Sequence, residues 1–357
     1  GCTTHTENNK TPIIRAFSTD KHSMYFSENV FTLTTEATPY SETGTLGIAR
    51  TIPDMDYICV NENRLWGCKG DTIYASKLGD PFNFNVFDGL DTDAWSVSAG
   101  SPGSFTGCTA YASFPVFFKE ELVFKIFGSV PSNFELTPSA RLGVASGASR
   151  SLAVAGETLF YLSRVGIVAY SGGMPSPLNE AFGAVNYSSA VAGSDGRRYY
   201  VSMTDGTAYS LFVYDTQYGT WHREDASQAM AFAFVGGALY MLLTDGKLYN
   251  ISGGSGTLEA SLAWVAEFGD FTEGDMNKKG VSRLIIRAEL ATGATMKVYI
   301  KYDSGSTWEE KASMSANTKK SWAAMVLPRR SDHWRLKLTG TGDVTVYGIA
   351  REYYSGS

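Results

Sequence analysis

Cysteine and histidine are scarce in this sequence. The four cysteines, Cys2, Cys59, Cys68 and Cys108, stand far apart and form no C-x-x-C pair. That spacing argues against a disulfide framework or a cysteine zinc site, and reads as reduced thiols in strands, suited to assembly in a reducing cytoplasm. The four histidines, His5, His22, His222 and His333, make no H-E-x-x-H motif and no i,i+4 pair. No histidine metal centre is expected from them. No apolar run approaches the ~20 residues of a membrane helix, so no such span is expected. Gly1 to Lys10 is polar and shows no apolar signal-peptide core. The sequence opens on Gly rather than Met, which leaves open what precedes it.

Motifs of common chemistries are missing too. Neither a Gly-x-Ser-x-Gly elbow nor a G-x-x-x-x-G-K-[ST] phosphate loop occurs. A glycosidase needs two carboxylates across a cleft, and nothing singles out such a pair among the 36 acidic residues. The reading is therefore of a chain without a catalytic centre and without a cofactor. Basic clusters do not exceed Lys319-Lys320 and Arg329-Arg330, and the net charge is −6. A protein that grips nucleic acid by its phosphates normally carries a basic face, so tight DNA binding is not expected.

What is present points to β-structure. Over 357 residues two domains are expected. Hydrophobic residues at 43% against 18% charged are the balance of a folded chain, and 20 Tyr with 20 Phe favour strands. One unit recurs: an apolar or aromatic run, a turn of about four residues, then a second apolar run. Its copies are Ser23–Thr34, Arg64–Ser76, Pro115–Gly128, Thr158–Gly172, Arg198–Asp215 and Ala238–Gly253. Asp205-Gly206, Asp245-Gly246 and Gly70-Asp71 supply hairpin turn chemistry. The aromatic anchors are Tyr25, Trp66, Phe117, Phe160, Tyr200 and Tyr240, separated by 41, 51, 43, 40 and 40 residues on subtracting their numbers. A period near 40–45 residues with several short strands per unit is propeller spacing, in which each hairpin is expected to bury its aromatic face against the next blade. Tyr214 and Trp221 follow kelch-type blade grammar, in which the outer-strand Trp packs between sheets. Strand material at Thr11–Phe17 is expected to help close the ring with the last blade.

The pattern changes after Gly253-Gly254-Ser255-Gly256. Residues 1–253 read as a β-propeller of about six blades, 254–257 as a Gly/Ser linker and 258–357 as a jelly-roll-like β-sandwich. Its strands are expected at Val281–Leu290, Thr295–Tyr302, Ser321–Pro328, Trp334–Gly340 and Val344–Tyr354. The class is all-β.

Three local features carry candidate chemistry. Asp88, Asp91 and Asp93 crowd one loop and are a calcium candidate, although the loop lacks the central Gly and final Glu of an EF-hand. A solvated turn is the simpler account. Asp303 to Trp308 resembles the Asp-box of sialidase-like propellers, with Lys301 where that motif has Ser or Thr. An Asp that caps its own turn explains it without catalysis. Finally, Trp264, Trp308, Trp322 and Trp334 all fall in the last domain, where exposed rings would suit a carbohydrate- or receptor-binding module.

Four stretches, Arg64–Asn85, Phe118–Leu136, Thr158–Phe182 and Leu327–Ser357, resemble tail and neck structural proteins of bacteriophages and prophages of gut bacteria. The first includes Gly79-Asp80-Pro81-Phe82-Asn83, a turn that Asp-Pro and Asn favour on their own. The similarity runs over residues 53–357, and its motifs are architectural. It implies a nozzle-like homo-oligomeric ring, six-fold, in contact with other tail or portal proteins, located in the virion and assembled in the host bacterial cytoplasm. DNA then passes nearby without tight binding, and a weakly acidic wall suits that passage.

Overall fold

The computed structural model describes residues 52–183, 185–253, 263–274, 277–315, 320–325 and 329–355, and of the first 51 only the backbone of four strands. The chain divides into two compact units, Gly1–Gly254 and Ser255–Ser357. The Gly/Ser linker expected at 254–257 lies outside the described residues. All regular structure is β apart from three 3-10 turns among the described residues.

The first unit is a run of six antiparallel meanders. Sheet 1 comprises Cys2–Glu7, Thr11–Phe17, His22–Ser27 and Val30–Thr35. Sheet 2 comprises Tyr57–Asn61, Arg64–Lys69, Thr72–Ala75 and Trp95–Ser98. Sheet 3 takes Gly107–Tyr111, Phe114–Phe118, Leu122–Phe127 and Glu135–Arg141. Sheet 4 takes Ala153–Ala155, Thr158–Ser163, Gly166–Tyr170 and Ser176–Pro177. Sheet 5 is built from Ser188–Ser194, Arg198–Thr204, Tyr209–Asp215 and Thr220–Asp225. Sheet 6 has three strands, Ala229–Val235, Ala238–Leu243 and Leu248–Asn250.

The tight turns explain the meanders. Glu62-Asn63 and Ala112-Ser113 each place two consecutive residues at positive φ (47° and 58°, 49° and 66°) between the first and second strands of their sheets. That is the type I′ geometry whose twist matches the flanking strands.

Sheets 2 to 6 pack in succession, face to face, largely through paired aromatics. Neighbouring residues of a strand point to opposite faces, so Phe117-Phe118, Phe160-Tyr161 and Tyr199-Tyr200 each serve two neighbouring sheets at once. Phe117 packs back on Trp66 of sheet 2, while Phe118 meets Tyr161 of sheet 4 with ring centroids 5.1 Å apart. Phe160 stacks on Tyr199 of sheet 5, and Tyr200 shares a core with Leu239 and Met241 of sheet 6. The first strands of sheets 2 and 3, of 4 and 5, and of 5 and 6 lie against one another. At the last junction the approach is so close that a Cβ on Gly193 would stand 2.3 Å from the Cβ of Phe232.

Two expectations need correction. Thr11–Phe17 pairs on both edges, with Cys2–Glu7 and with His22–Ser27, so it has no free edge to lend to the last sheet. The anchors also do not all face forward. Trp66, Phe160 and Tyr200 pack on the following sheet, Phe117 packs on the preceding one, and half-buried Tyr240 lies on the face of sheet 6 turned away from sheet 5. Tyr25 sits on the third strand of its sheet rather than the second.

In the second unit, sheet 7 is ordered Ala263–Glu267, Trp334–Thr341, Thr295–Tyr302, Glu309–Ser315. Sheet 8 is ordered Lys320–Met325, Lys279–Leu290, Val344–Ser355. Leu284, Ile286 and Ala288 of sheet 8 share one apolar core with Val298, Ile300, Trp334 and Leu336 of sheet 7. Alternation along Thr295–Tyr302 buries Met296, Val298 and Ile300 and leaves Lys297, Tyr299 and Lys301 on the outer face.

Candidate functional site

The calcium candidate is closed by the protein itself. The Asp93 carboxylate is turned inward and accepts the Leu90 backbone N–H at 3.0 Å. Burial pushes its pKa up, but the N–H groups of Leu90, Gly89 and Asp88 outweigh that and hold it below the ordinary carboxylate value. Buried Arg64 donates to the carbonyls of Asp91 (2.8 Å), Asp93 and Ser76 (2.8 Å), so the oxygens a cation would need already have a guanidinium. Asp88 and Asp91 point outward. Calcium takes 6–8 oxygen ligands, and this loop offers an internal cap instead.

Arg64 and Trp66 also line a cleft between sheets 2 and 3, together with Phe114 and Phe134. Its volume is about 20 Å³, room for one water and too little for a sugar ring. Phe117, Phe160 and Tyr200 make inter-sheet cores, the side chain of Tyr25 lies outside the described residues, and half-buried Trp221 lies 4.8 Å from Phe182 and 5.0 Å from Tyr214.

The thiols are closer than their spacing in the chain suggests. Cys108 of sheet 3 is in hydrogen-bond contact with Cys59 and Cys68 of sheet 2, and these contacts, followed by burial, push its thiol pKa well up. The repeat gave no direct signal of this, since Cys68 alone falls within a repeat copy, while Cys59 and Cys108 lie on the first strands of sheets 2 and 3.

The Asp-box-like turn is a hairpin with a different cap from the one expected. Asp303 sits at φ 49° and accepts, through Oδ1, the backbone N–H of Asp332 at 3.1 Å. It therefore ties two loops together rather than its own turn. Asp303, Asp332 and His333 are the group of candidate metal ligands found among the described residues, and all three are engaged with one another or with backbone.

Trp308 ends on the outer face of sheet 7, in a mixed aromatic and basic surface. Register places Glu267, Lys337, Tyr299 and Glu310 in one row across the four strands, with Arg335 and Lys301 opposite each other in the next. The Lys337 Nζ lies 4.4 Å from the Trp308 ring centre and 5.1 Å from that of Tyr299, and the Lys301 Nζ lies 4.9 Å from Trp308. Arg335 is paired with Asp270, and Lys297 with Glu310 at 3.0 Å. Among the described residues Lys301 and Lys337 make no ion pair.

No family model and no curated protein matches the sequence. Among solved structures the chain is similar to a putative exported protein from Bacteroides fragilis, at 11% identity over 67% of this chain and 78% of that one, with a TM-score of 0.38. It is also similar to the exo-β-1,3-galactanase of Phanerochaete chrysosporium, at 12% identity over 87% and 99% of the two chains and a TM-score of 0.30. An arabinoxylan arabinofuranohydrolase from Bacillus subtilis gives 9% identity, 99% and 93% coverage and a TM-score of 0.29. Likenesses this distant carry no weight for function. Two of the three names belong to carbohydrate-active proteins and none to a phage protein.

Proposed function

We propose that the six sheets are successive propeller blades, that the second unit is a β-sandwich, and that the chain is a non-enzymatic structural subunit of a bacteriophage tail or neck. In this reading sheet 1 closes the ring against the outer face of sheet 6, where Ala231, Ala233, Val235, Tyr240, Leu242 and Leu248 present no charge. Copies of the chain then form a ring about the DNA channel, in contact with tail or portal proteins.

One observation carries the assembly role. Val344–Ser355, twelve residues long, is the outer strand of sheet 8 among the described residues, where it pairs with Lys279–Leu290. Val346, Tyr347, Tyr353 and Tyr354 along it are 37–49% exposed. A long edge strand with exposed apolar side chains is a template for another chain. Repeated in one direction, such a contact is heterologous and builds rings. The sequence resemblance across residues 53–357 supplies the virion context. The test is mass spectrometry and electron microscopy of purified particles, with many copies expected on the tail axis. Absence of the chain from particles, or a hydrolase activity abolished by one Asp or Glu substitution, would overturn the reading.

A second reading, a carbohydrate- or receptor-binding module, is favoured by the aromatic outer face of sheet 7, and the names of the distant solved structures lie nearer to it than to the first. A glycan array with the purified protein separates the two, since a purely structural subunit should bind no glycan.

A further inference from the structure

We infer that the outer face of sheet 7 binds an acidic polysaccharide, with Lys301 and Lys337 taking the carboxylate of a uronate residue beside Trp308. The inference rests on the second reading above and gives it a ligand class. Four observations lead to it. Two ammonium groups are held against one indole, at 4.9 and 4.4 Å from its centre, with no carboxylate partner among the described residues. Like charges directly opposite one another repel, and Lys301 stands opposite Arg335 in the strand register, while the neighbouring carboxylates Asp270, Glu267 and Glu310 are already shared with Arg335 and Lys297. A bound anion removes that repulsion. The indole contact also restrains both long side chains beforehand, so little rotamer freedom is lost when an anion arrives.

The surroundings select the kind of anion. Glu310 accepts from the Tyr299 hydroxyl at 3.1 Å, and Glu267 and Asp270 stand on the other side of the cations. Carboxylates at the rim accept hydrogen bonds from sugar hydroxyls, while the half-buried rings of Tyr299 and Trp308 offer apolar surface to a pyranose. Sugar acids match the mixture of cation, ring and carboxylate; polyphosphates match only the cations.

Binding of the full chain to polygalacturonate is the test, measured by tryptophan fluorescence and by affinity electrophoresis at low salt. A neutral galactan and oligo(dT) serve as comparison ligands. Polygalacturonate should bind and the other two should not. The Lys301→Gln/Lys337→Gln double variant should lose at least about tenfold in affinity, as expected for two charge-assisted contacts. Lys297→Gln removes the same charge one row away, but its ammonium is already paired with Glu310, so its affinity should change less than about threefold. Urea unfolding checks that each variant is folded, and Trp308→Phe provides a variant that keeps an aromatic ring. Equal loss in Lys297→Gln and the double variant would reduce the effect to net charge and overturn the inference. Preference for oligo(dT) would overturn it in favour of nucleic acid. Binding of neutral glycans alone would sink the acidic-ligand inference and leave the second reading standing, whereas no glycan binding at all would remove both.

Discussion

The rings of Phe160 and Tyr199 stack across two consecutive sheets, with centroids 5.1 Å apart and planes 29° from parallel. Both side chains are buried, and the Tyr199 hydroxyl donates to the Ser151 carbonyl at 2.9 Å. Phe160→Ala should therefore cost about 3–5 kcal/mol in urea unfolding. Tyr199→Phe removes only the hydroxyl and should cost about 1 kcal/mol. A double-mutant cycle of Phe160→Ala with Tyr199→Ala, which removes both rings, should give a coupling of about 0.5–1.5 kcal/mol. Additive losses would show that sheets 4 and 5 are not held together by this pair.

Gly193→Val tests the junction of sheets 5 and 6. The first atom of any side chain there would collide with Phe232, in the backbone-near part that cannot swing away. An overpacked core position typically costs about 1–3 kcal/mol, and the melting temperature should fall accordingly. Recovery of stability in Gly193→Val/Phe232→Ala would locate the strain at this contact. No recovery would place it elsewhere.

These two sites show how far the sequence could be read. The hairpin repeat was legible because Trp66, Phe117, Phe160 and Tyr200 recur at a nearly fixed spacing and sit on the second strand of each meander. Their direction was not legible. A strand buried on both faces carries no alternation, so Phe117-Phe118 does not reveal which ring turns forward. Turns such as Glu62-Asn63 and Ala112-Ser113 lack the Asn-Gly signal, and the hairpins they join went unread. The Asp88–Asp93 loop was read as a solvated turn because composition alone does not show that Arg64, far back in the chain, is buried against it and that Asp93 turns inward. Likewise the acid and base groups around Trp308 come from four strands and meet only through the register of sheet 7.

Trp221 should behave as a packing residue rather than a ligand platform. It is half-buried, with Phe182, Tyr214 and Tyr199 around its ring. Trp221→Ala should cost about 2–4 kcal/mol, below the loss for a fully enclosed Trp. A loss under about 1 kcal/mol, read from urea midpoints, would return Trp221 to the pool of candidate binding residues.

The thiol cluster should be slow to react. Contact with Cys59 and Cys68 and burial hold the Cys108 proton on, and the thiolate is the reactive species. Labelling by a thiol-disulfide reagent at pH 7.5, followed by peptide mass analysis, should leave Cys108 unmodified in the native chain. In urea it should react at the rate of a free cysteine. Rapid native labelling of Cys108 would mean that sheets 2 and 3 part easily.

The acid limb of stability should depend on Asp215. Its carboxylate is buried and faces two arginines: Oδ2 accepts from Arg197 at 2.5 Å and from Arg198 at 3.2 Å, while Oδ1 accepts the Gln217 N–H at 3.0 Å. Burial alone would raise its pKa, but these three donors outweigh it and bring it down to about 2. In the unfolded chain the same group takes up its proton near pH 3.9. Between those values the unfolded state binds more protons than the folded one, so the contribution of Asp215 is complete above about pH 4 and disappears as the pH falls through 2. Other lowered carboxylates titrate in the same range, so the informative quantity is the difference between the parent chain and Asp215→Asn. Urea midpoints at pH 6, 4, 3 and 2.5 should show the variant less stable at pH 6 and the gap narrowing steadily below pH 4. Adding salt should shrink the gap only modestly, because the carboxylate is shielded from solvent even though both arginines are partly exposed. A gap that stays constant from pH 6 to pH 2.5 would mean that the Asp215 cluster contributes shape rather than charge.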